Sequence, residues 1–336
     1  MDWNQLATDI LNGYELTIDE GLEILNSDDS EILSILHAAY MIRKSYFGKK
    51  VKLNMILNAK SGSCSENCGY CSQSSESNAP IEKYRFVSKE DLVRGAEEAI
   101  AKKANTYCIV ASGRGPTTSE LETVAEAIKE IKEKYDIKIC TSLGLISAEQ
   151  ALRLKDVGID RYNHNLNTSK EHYGKIATSH TYDNRVDTIK ILKEAGISPC
   201  SGVIIGMKET KEDIVKVANS IKLLDPESIP INFLNSVKGT RFEDVKELTP
   251  VYCLKVLALY RFINPTKEIR ISGGREINLR SLQPLGLYAA NSIFVGDYLT
   301  TEGQAVNKDH EMIVDLGFEI EITHEIQKYI KEEINI

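Results

Sequence analysis

Three cysteines fall within eight consecutive positions, Cys64, Cys68 and Cys71, in the stretch SGSCSENCGYCSQS at 61–74. Three thiolates on so short a loop must converge on something soft, and zinc or an iron–sulfur cluster both qualify. Structural zinc normally takes four protein ligands, often from paired knuckles, and no second knuckle follows, so a distant fourth cysteine would be needed. A cubane [4Fe–4S] held by only three cysteines leaves one iron with an open position for a substrate or cofactor. The chain carries seven cysteines, an odd number. That suits metal or redox chemistry in a reducing compartment better than a disulfide framework.

The remaining candidates are single residues whose meaning depends on the strands that carry them. Cys108, Cys140 and Cys200 sit in short apolar runs, where each alone reads as a small buried core residue. Alternation adds to that. In the run EIRIS at 268–272, Ile269 and Ile271 face outward, which turns Arg270 to the interior, where an unpaired cation is costly and something must accept it. Cys108 shares a face with Val110 and Ser112, and Cys140 with Lys138 and Ser142. Three interior cysteines and an arginine can therefore surround a second, deeper cluster. Asn163, Asn165 and Asn167 lie two apart, so one strand would project all three amides to one face. The same rule turns His164 away from them. The six histidines, at 37, 164, 172, 180, 310 and 324, show no ligand spacing, and Cys253 lies in an apolar helical run.

These side chains need strands to hold them, and the pattern supplies eight. Apolar runs at 51–58, 106–112, 137–143, 160–167, 197–205, 229–235, 268–273 and 292–296 alternate with amphipathic segments, the signature of repeated strand–helix units in a parallel sheet. Ser88 with Asp91, Thr117 with Glu120, Ser147 with Gln150 and Thr210 with Asp213 have the spacing of helix capping boxes. Eight such units over about 250 residues predict an α/β fold, a (β/α)8 barrel with its active site at the C-terminal strand ends; a doubly wound open sheet is the alternative. Residues 1–50 read as an N-terminal helical extension, 51–300 as the barrel, and 301–336 as a C-terminal tail packed on it, ending in an amphipathic stretch at 322–333. The chain has 336 residues and a net charge of −8 with no basic stripe, which argues against nucleic-acid binding. No apolar stretch approaches the ~18 residues of a membrane span, so a cytoplasmic protein is expected.

The cysteine run, with Tyr70 before its last cysteine, resembles the cluster loop of radical S-adenosylmethionine enzymes. Residues 202–209 (GVIIGMKE) fit that superfamily's G-x-I-x-G-x-x-E pattern. Within it, the segments at 61–74, 162–169, 180–189, 200–210, 229–240, 270–276 and 290–301 resemble the biotin synthase family over nearly the whole chain after residue 50. The resemblance implies sulfur insertion into dethiobiotin to give biotin. Cys64, Cys68 and Cys71 would then hold a [4Fe–4S] cluster, and Cys108, Cys140, Cys200 and Arg270 a [2Fe–2S] cluster that donates the sulfur. Tyr70, Asn165, Asn167 and Ile204 would bind S-adenosylmethionine, Asn167 standing where the family often has an aspartate, and residues 112–116 would either meet its carboxylate or form a tight turn. Asn163 and Asn232 would bind the ureido ring of dethiobiotin. A flavodoxin- or ferredoxin-type electron donor and a homodimer are also implied. The residues leave two rivals: a paralogous radical enzyme of hydrogenase-cofactor or amino-acid assembly, and a non-catalytic iron–sulfur or zinc protein.

Overall fold

A computed structural model describes residues 1–323 and 326–328; His324 and most of the amphipathic stretch at 322–333 lie outside the described residues. Three helices come first: α1 (Trp3–Leu11), α2 (Ile18–Asn26) and α3 (Ile32–Phe47). Strands and helices then alternate: β1 (Lys50–Lys60), α4 (Lys89–Ala101), β2 (Thr106–Ala111), α5 (Thr118–Lys134), β3 (Lys138–Ser142), α6 (Ala148–Asp156), β4 (Arg161–Asn163), α7 (Tyr173–Ile176), α8 (Tyr182–Glu194), β5 (Ser198–Cys200), β6 (Val203–Ile205), α9 (Lys211–Leu224), β7 (Ser228–Phe233), α10 (Pro250–Ile263), β8 (Glu268–Ile271), α11 (Arg275–Leu279) and β9 (Ser292–Phe294). Helix α12 (Val306–Asp315) and a short β10 (Glu319–Ile320) follow.

All strand pairs are parallel, and β9 returns to β1, so the sheet closes into an eight-stranded barrel in which β5 and β6 are two pieces of the fifth strand. β10 adds to the free start of β1. The four predicted capping boxes are present, and Thr17 with Glu20 and Thr181 with Asn184 add two more. Each satisfies end N–H groups that would otherwise lack a partner. Alternation decides which residues fill which layer. On β7, Ile229, Ile231 and Phe233 join the large apolar layer between strands and helices, while Pro230 and Asn232 turn inward. The interior holds little hydrocarbon: its apolar cluster is Cys108, Cys140 and Cys200 with Ile56, Val110 and Phe294 against them.

The N-terminal helices brace the closure. Arg43 on α3, fully buried, donates from Nε to the Ala290 carbonyl at 3.0 Å and from Nη2 to the Lys50 carbonyl at 3.0 Å, tying the starts of β9 and β1 together. Arg261 on α10 does the same for the neighbouring turn through Ala289 and Asn291. No helix among the described residues is long and apolar enough to cross a membrane.

Two strands differ from the expected runs. The fourth ends at Asn163, because the chain then bends to pair with the fifth: Asn167 adopts φ 69°, donates its N–H to the Gly202 carbonyl and accepts from the Ile204 N–H. The fifth is interrupted at 201–202, where the backbone runs against β7. A Cβ on Gly202 would lie 1.8 Å from the Pro230 carbonyl oxygen, so only glycine allows that approach. Gly202→Ala should destabilise the protein by about 3 kcal/mol, the upper range for forcing an atom into a packed interior. Urea unfolding would read this as a lower midpoint at unchanged slope; a parental midpoint would show that β7 shifts freely.

Candidate active site

A cavity of about 410 Å³ opens at the C-terminal ends of the strands and reaches down into the barrel. Every sequence-predicted site residue lines it except Cys200, which is fully buried and lies against Cys140.

At the rim, the loop after β1 turns at Gly62 (φ 72°) and Ser63 (φ 51°), and the Gly62 N–H donates to Gln73 Oε1 at 3.0 Å. Its far side is anchored by Asn67, whose Oδ1 accepts the Thr178 and Ser179 N–H groups at 2.9 and 3.0 Å, and by the Gly69 N–H on the Ile176 carbonyl at 2.8 Å. Glu66, buried, accepts from Ser179 Oγ at 2.7 Å and from Arg114 at 3.1 Å, and pairs with His180. Arg114 in the 112–116 turn is thus engaged as a brace of the cysteine loop. Burial raises the Cys68 thiol and pushes Cys71 up to about 12. A soft cation must displace those protons, which is the linkage expected of thiolate sites.

Deeper, register brings the interior cysteines together: Cys108 pairs with Cys140 across β2 and β3, and Cys200 with Ser228 across β5 and β7. Cys140 packs against both other thiols. The neighbouring Cys140 thiol lowers the Cys200 thiol against the effect of burial, helped by the Arg161 and Arg270 guanidiniums. Arg270 is inside, as alternation requires, and is 2% exposed. Its acceptor is Glu268, two residues back on the same face, at 2.6 Å. Burial pushes the Glu268 carboxyl up, but Arg270, Arg161 and Lys52 hold it well below the usual carboxylate range.

Between the two levels lie the asparagines. Asn163 Nδ2 is 3.4 Å from Ser142 Oγ. Asn165 Oδ1 accepts the Gly202 N–H at 3.0 Å, and Asn167 donates to the Tyr70 hydroxyl at 2.7 Å. Asn232 donates to the Val203 carbonyl at 2.9 Å and accepts the Gly273 N–H at 3.0 Å, keeping one N–H and one lone pair for a ligand.

Comparison with known proteins places the sequence in a family. Residues 60–221 fit the Radical SAM superfamily, and residues 230–319 the Biotin and Thiamin Synthesis associated domain. The biotin synthase of Anoxybacillus flavithermus is 64% identical over 321 residues, covering 96% of this chain and 98% of its own; that of Bacillus subtilis is 63% identical over 325 residues, covering 97% of each. The chain belongs to the biotin synthase family. It is therefore an enzyme, a sulfurtransferase of the radical S-adenosylmethionine type whose activity is that of a biotin synthase, and the family works with S-adenosylmethionine and a [4Fe–4S] cluster. Two solved structures share the fold alone at 19% identity: methylornithine synthase, with TM-score 0.82 over 94% of this chain and 97% of that one, and the FeFe-hydrogenase maturase of Carboxydothermus hydrogenoformans, with TM-score 0.80 over 97% and 80%.

The donor set fits what the biotin synthase family uses. All seven cysteines are free thiols, and six stand in two groups of three. Soft thiolates grouped in this way are the donors that an iron–sulfur cluster takes. Cys253, fully buried on α10, is core. His164 departs from expectation: with β4 ending at Asn163, strand alternation no longer applies, and the ring lines the cavity with Nε2 unpartnered among the described residues. Arg185 was absent from the sequence candidates. It lines the cavity from α8, held by the Asn165 carbonyl at 3.0 Å, His180 at 2.9 Å and the Tyr173 hydroxyl, and its charge faces Tyr70 and Cys68. Its only sequence signal was its place in the family-like segment 180–189. Tyr70→Phe would strand the Asn167 amide and should cost about 1–3 kcal/mol. Denaturant titration checks it, and parental stability would mean that the amide finds another acceptor.

Proposed function

We propose that this enzyme makes biotin from dethiobiotin in the one cavity, with radical generation at the rim and sulfur delivery at the floor. The observation that carries the reading is the stacking of two cysteine trios at two depths of one barrel, with polar amides between them. In this reading Cys64, Cys68 and Cys71 hold the [4Fe–4S] cluster, and Cys108, Cys140, Cys200 and Arg270 hold a [2Fe–2S] cluster. When bound, the first supplies the electron that splits S-adenosylmethionine to a 5′-deoxyadenosyl radical, and the second supplies the sulfur.

The chain's own residues bind, orient and exclude water. Tyr70, Asn165, Asn167 and Ile204 bind S-adenosylmethionine beside the rim trio, where Arg185 offers a half-buried cation to its carboxylate. Asn167 contributes a neutral amide, whose hydrogen bond is weaker than a carboxylate's. Asn163 and Asn232 read the ureido edge of dethiobiotin, whose N–H and C=O groups an amide matches donor to acceptor. The closed barrel keeps the reacting carbon dry and at contact distance, which suits a radical that would otherwise react with whatever it meets. The division into a helical extension (1–50), a catalytic barrel (51–300) and a tail (301–336), a flavodoxin- or ferredoxin-type donor, a homodimer and a cytoplasmic setting complete the proposal, on the family resemblance, the composition and the reduced cysteines.

Separation of the two trios gives the decisive experiment. Cys140→Ala should retain 5′-deoxyadenosine formation under dithionite while making no biotin, whereas Cys68→Ala should lose both. Parental biotin production by Cys140→Ala would reduce the interior cysteines to packing. Substrate reading is tested apart from this. Asn232→Leu removes one ureido partner and should weaken dethiobiotin binding about ten- to a hundredfold, with S-adenosylmethionine affinity nearly unchanged in calorimetric titration. Equal dethiobiotin affinity in variant and parent would remove Asn232 from the substrate site.

A further inference from the structure

Arg270 can do chemistry at the interior thiols only if one guanidinium nitrogen is kept turned toward them. An arginine has several rotatable bonds, and the cavity above offers room to swing. What stops it lies on the far side. Nη2 of Arg270 donates to Glu268 Oε1 at 2.6 Å and to Ser228 Oγ at 3.0 Å, while Nε is 3.4 Å from Ser292 Oγ. Ser228 Oγ in turn donates to the same Glu268 oxygen at 3.1 Å. Among the described residues Nη1 has no hydrogen-bond partner, and the guanidinium carbon stands 5.0 Å from the ring centre of Phe294, which packs against the three cysteines.

Glu268 is itself immobilised. Its second oxygen accepts Arg161 Nη1 at 2.9 Å and has Lys52 Nζ at 3.5 Å, and Arg161 is held from below by Glu227. Glu268 and both arginines are at most 3% exposed. We propose that Glu268 is the positioning residue that anchors Nη2 of Arg270 and thereby presents Nη1 to Cys108, Cys140 and Cys200. This rests on the reading that those four residues hold a [2Fe–2S] cluster. Glu268 does not line the substrate cavity; its hydrogen-bonded route to the thiols runs through Arg270, while its charge also bears on Cys200.

Glu268→Gln keeps the shape and one acceptor but loses the charge that grips both arginines. In anaerobically reconstituted protein, the visible circular dichroism and resonance Raman bands of the [2Fe–2S] cluster should shift, and a chelator should strip that cluster about fivefold faster, the factor for one lost hydrogen bond of ordinary strength. Its [4Fe–4S] reconstitution should match the parent's, which reports folding of the rim. Ser228→Ala, an uncharged change, should shift the same bands in the same direction by less. Parental bands and chelation rate in Glu268→Gln overturn the inference, even with a lower melting temperature, since Glu268 would then only balance charge. Parental bands in Ser228→Ala overturn it where Glu268→Gln yields no folded protein. A parent without [2Fe–2S] bands, or a Cys140→Ala variant that keeps them, would instead bring down the cluster assignment on which the inference stands.

Discussion

Closing eight parallel strands removes water from the middle of the barrel, so every polar group placed there must find its partner across the strands. Register therefore decides the chemistry. Cys140 stands beside Cys108 on one side and Arg161 on the other; Cys200 stands beside Ser228, Ser228 beside Glu268, and Arg270 beside Ser292. A slip of one residue in any strand would turn these side chains into the helix layer and bring isoleucines inside. The interior thiols and charges are thus a property of the whole sheet, and the arginine clamps from α3 and α10 protect them by holding the closing strands in register.

The rim obeys a different logic. Its cysteines lie on a loop without regular structure between β1 and α4, so their placement depends on side chains that tie the loop to its neighbours. Glu66 and Asn67 do this by gripping the 178–180 segment, and Arg241 adds contacts to the Asn67 carbonyl and to Glu76. The exit of the fourth strand joins the two levels. Asn165 caps the Gly202 N–H of the fifth strand, and Asn167 reaches up to Tyr70 of the cysteine loop. Rim and floor are consequently linked through one short segment whose backbone is bent away from strand geometry.

Much of this was legible in the sequence where a single physical rule applied. Strands buried on both faces read as apolar runs, and capping boxes are local, so the eight strands and four predicted helix starts are where the residues implied. Arg270 was legible as interior because two isoleucines flank it. Its acceptor was not read, because a glutamate at a strand start looks like an exposed end until the register shows Arg161 across the barrel from it. His164 was misoriented by carrying alternation past Asn163, where the strand already stops, although Asn165 and Asn167 beyond it still reach the cavity. Arg185 was missed because one basic residue on an amphipathic helix has no pattern of its own; only the fold turns it inward.

The charged floor also answers why the barrel tolerates ions in a site where hydrocarbon would pack as well. Replacing a buried ion pair by apolar residues of similar volume is often neutral or stabilising, so Arg161, Glu268 and Glu227 are poor candidates for a stability device. Removing one member of such a set, by contrast, leaves a buried charge alone at a cost of about 3–5 kcal/mol. The interior trio has a guanidinium beside it, and that guanidinium can remain buried only with a carboxylate next to it. The carboxylate in turn needs a second cation to hold its other oxygen, and the second cation needs the half-exposed Glu227 at the open bottom of the barrel. The chain of alternating charges ends only where water takes over, so one arginine buried beside the thiols accounts for the ionic column beneath it.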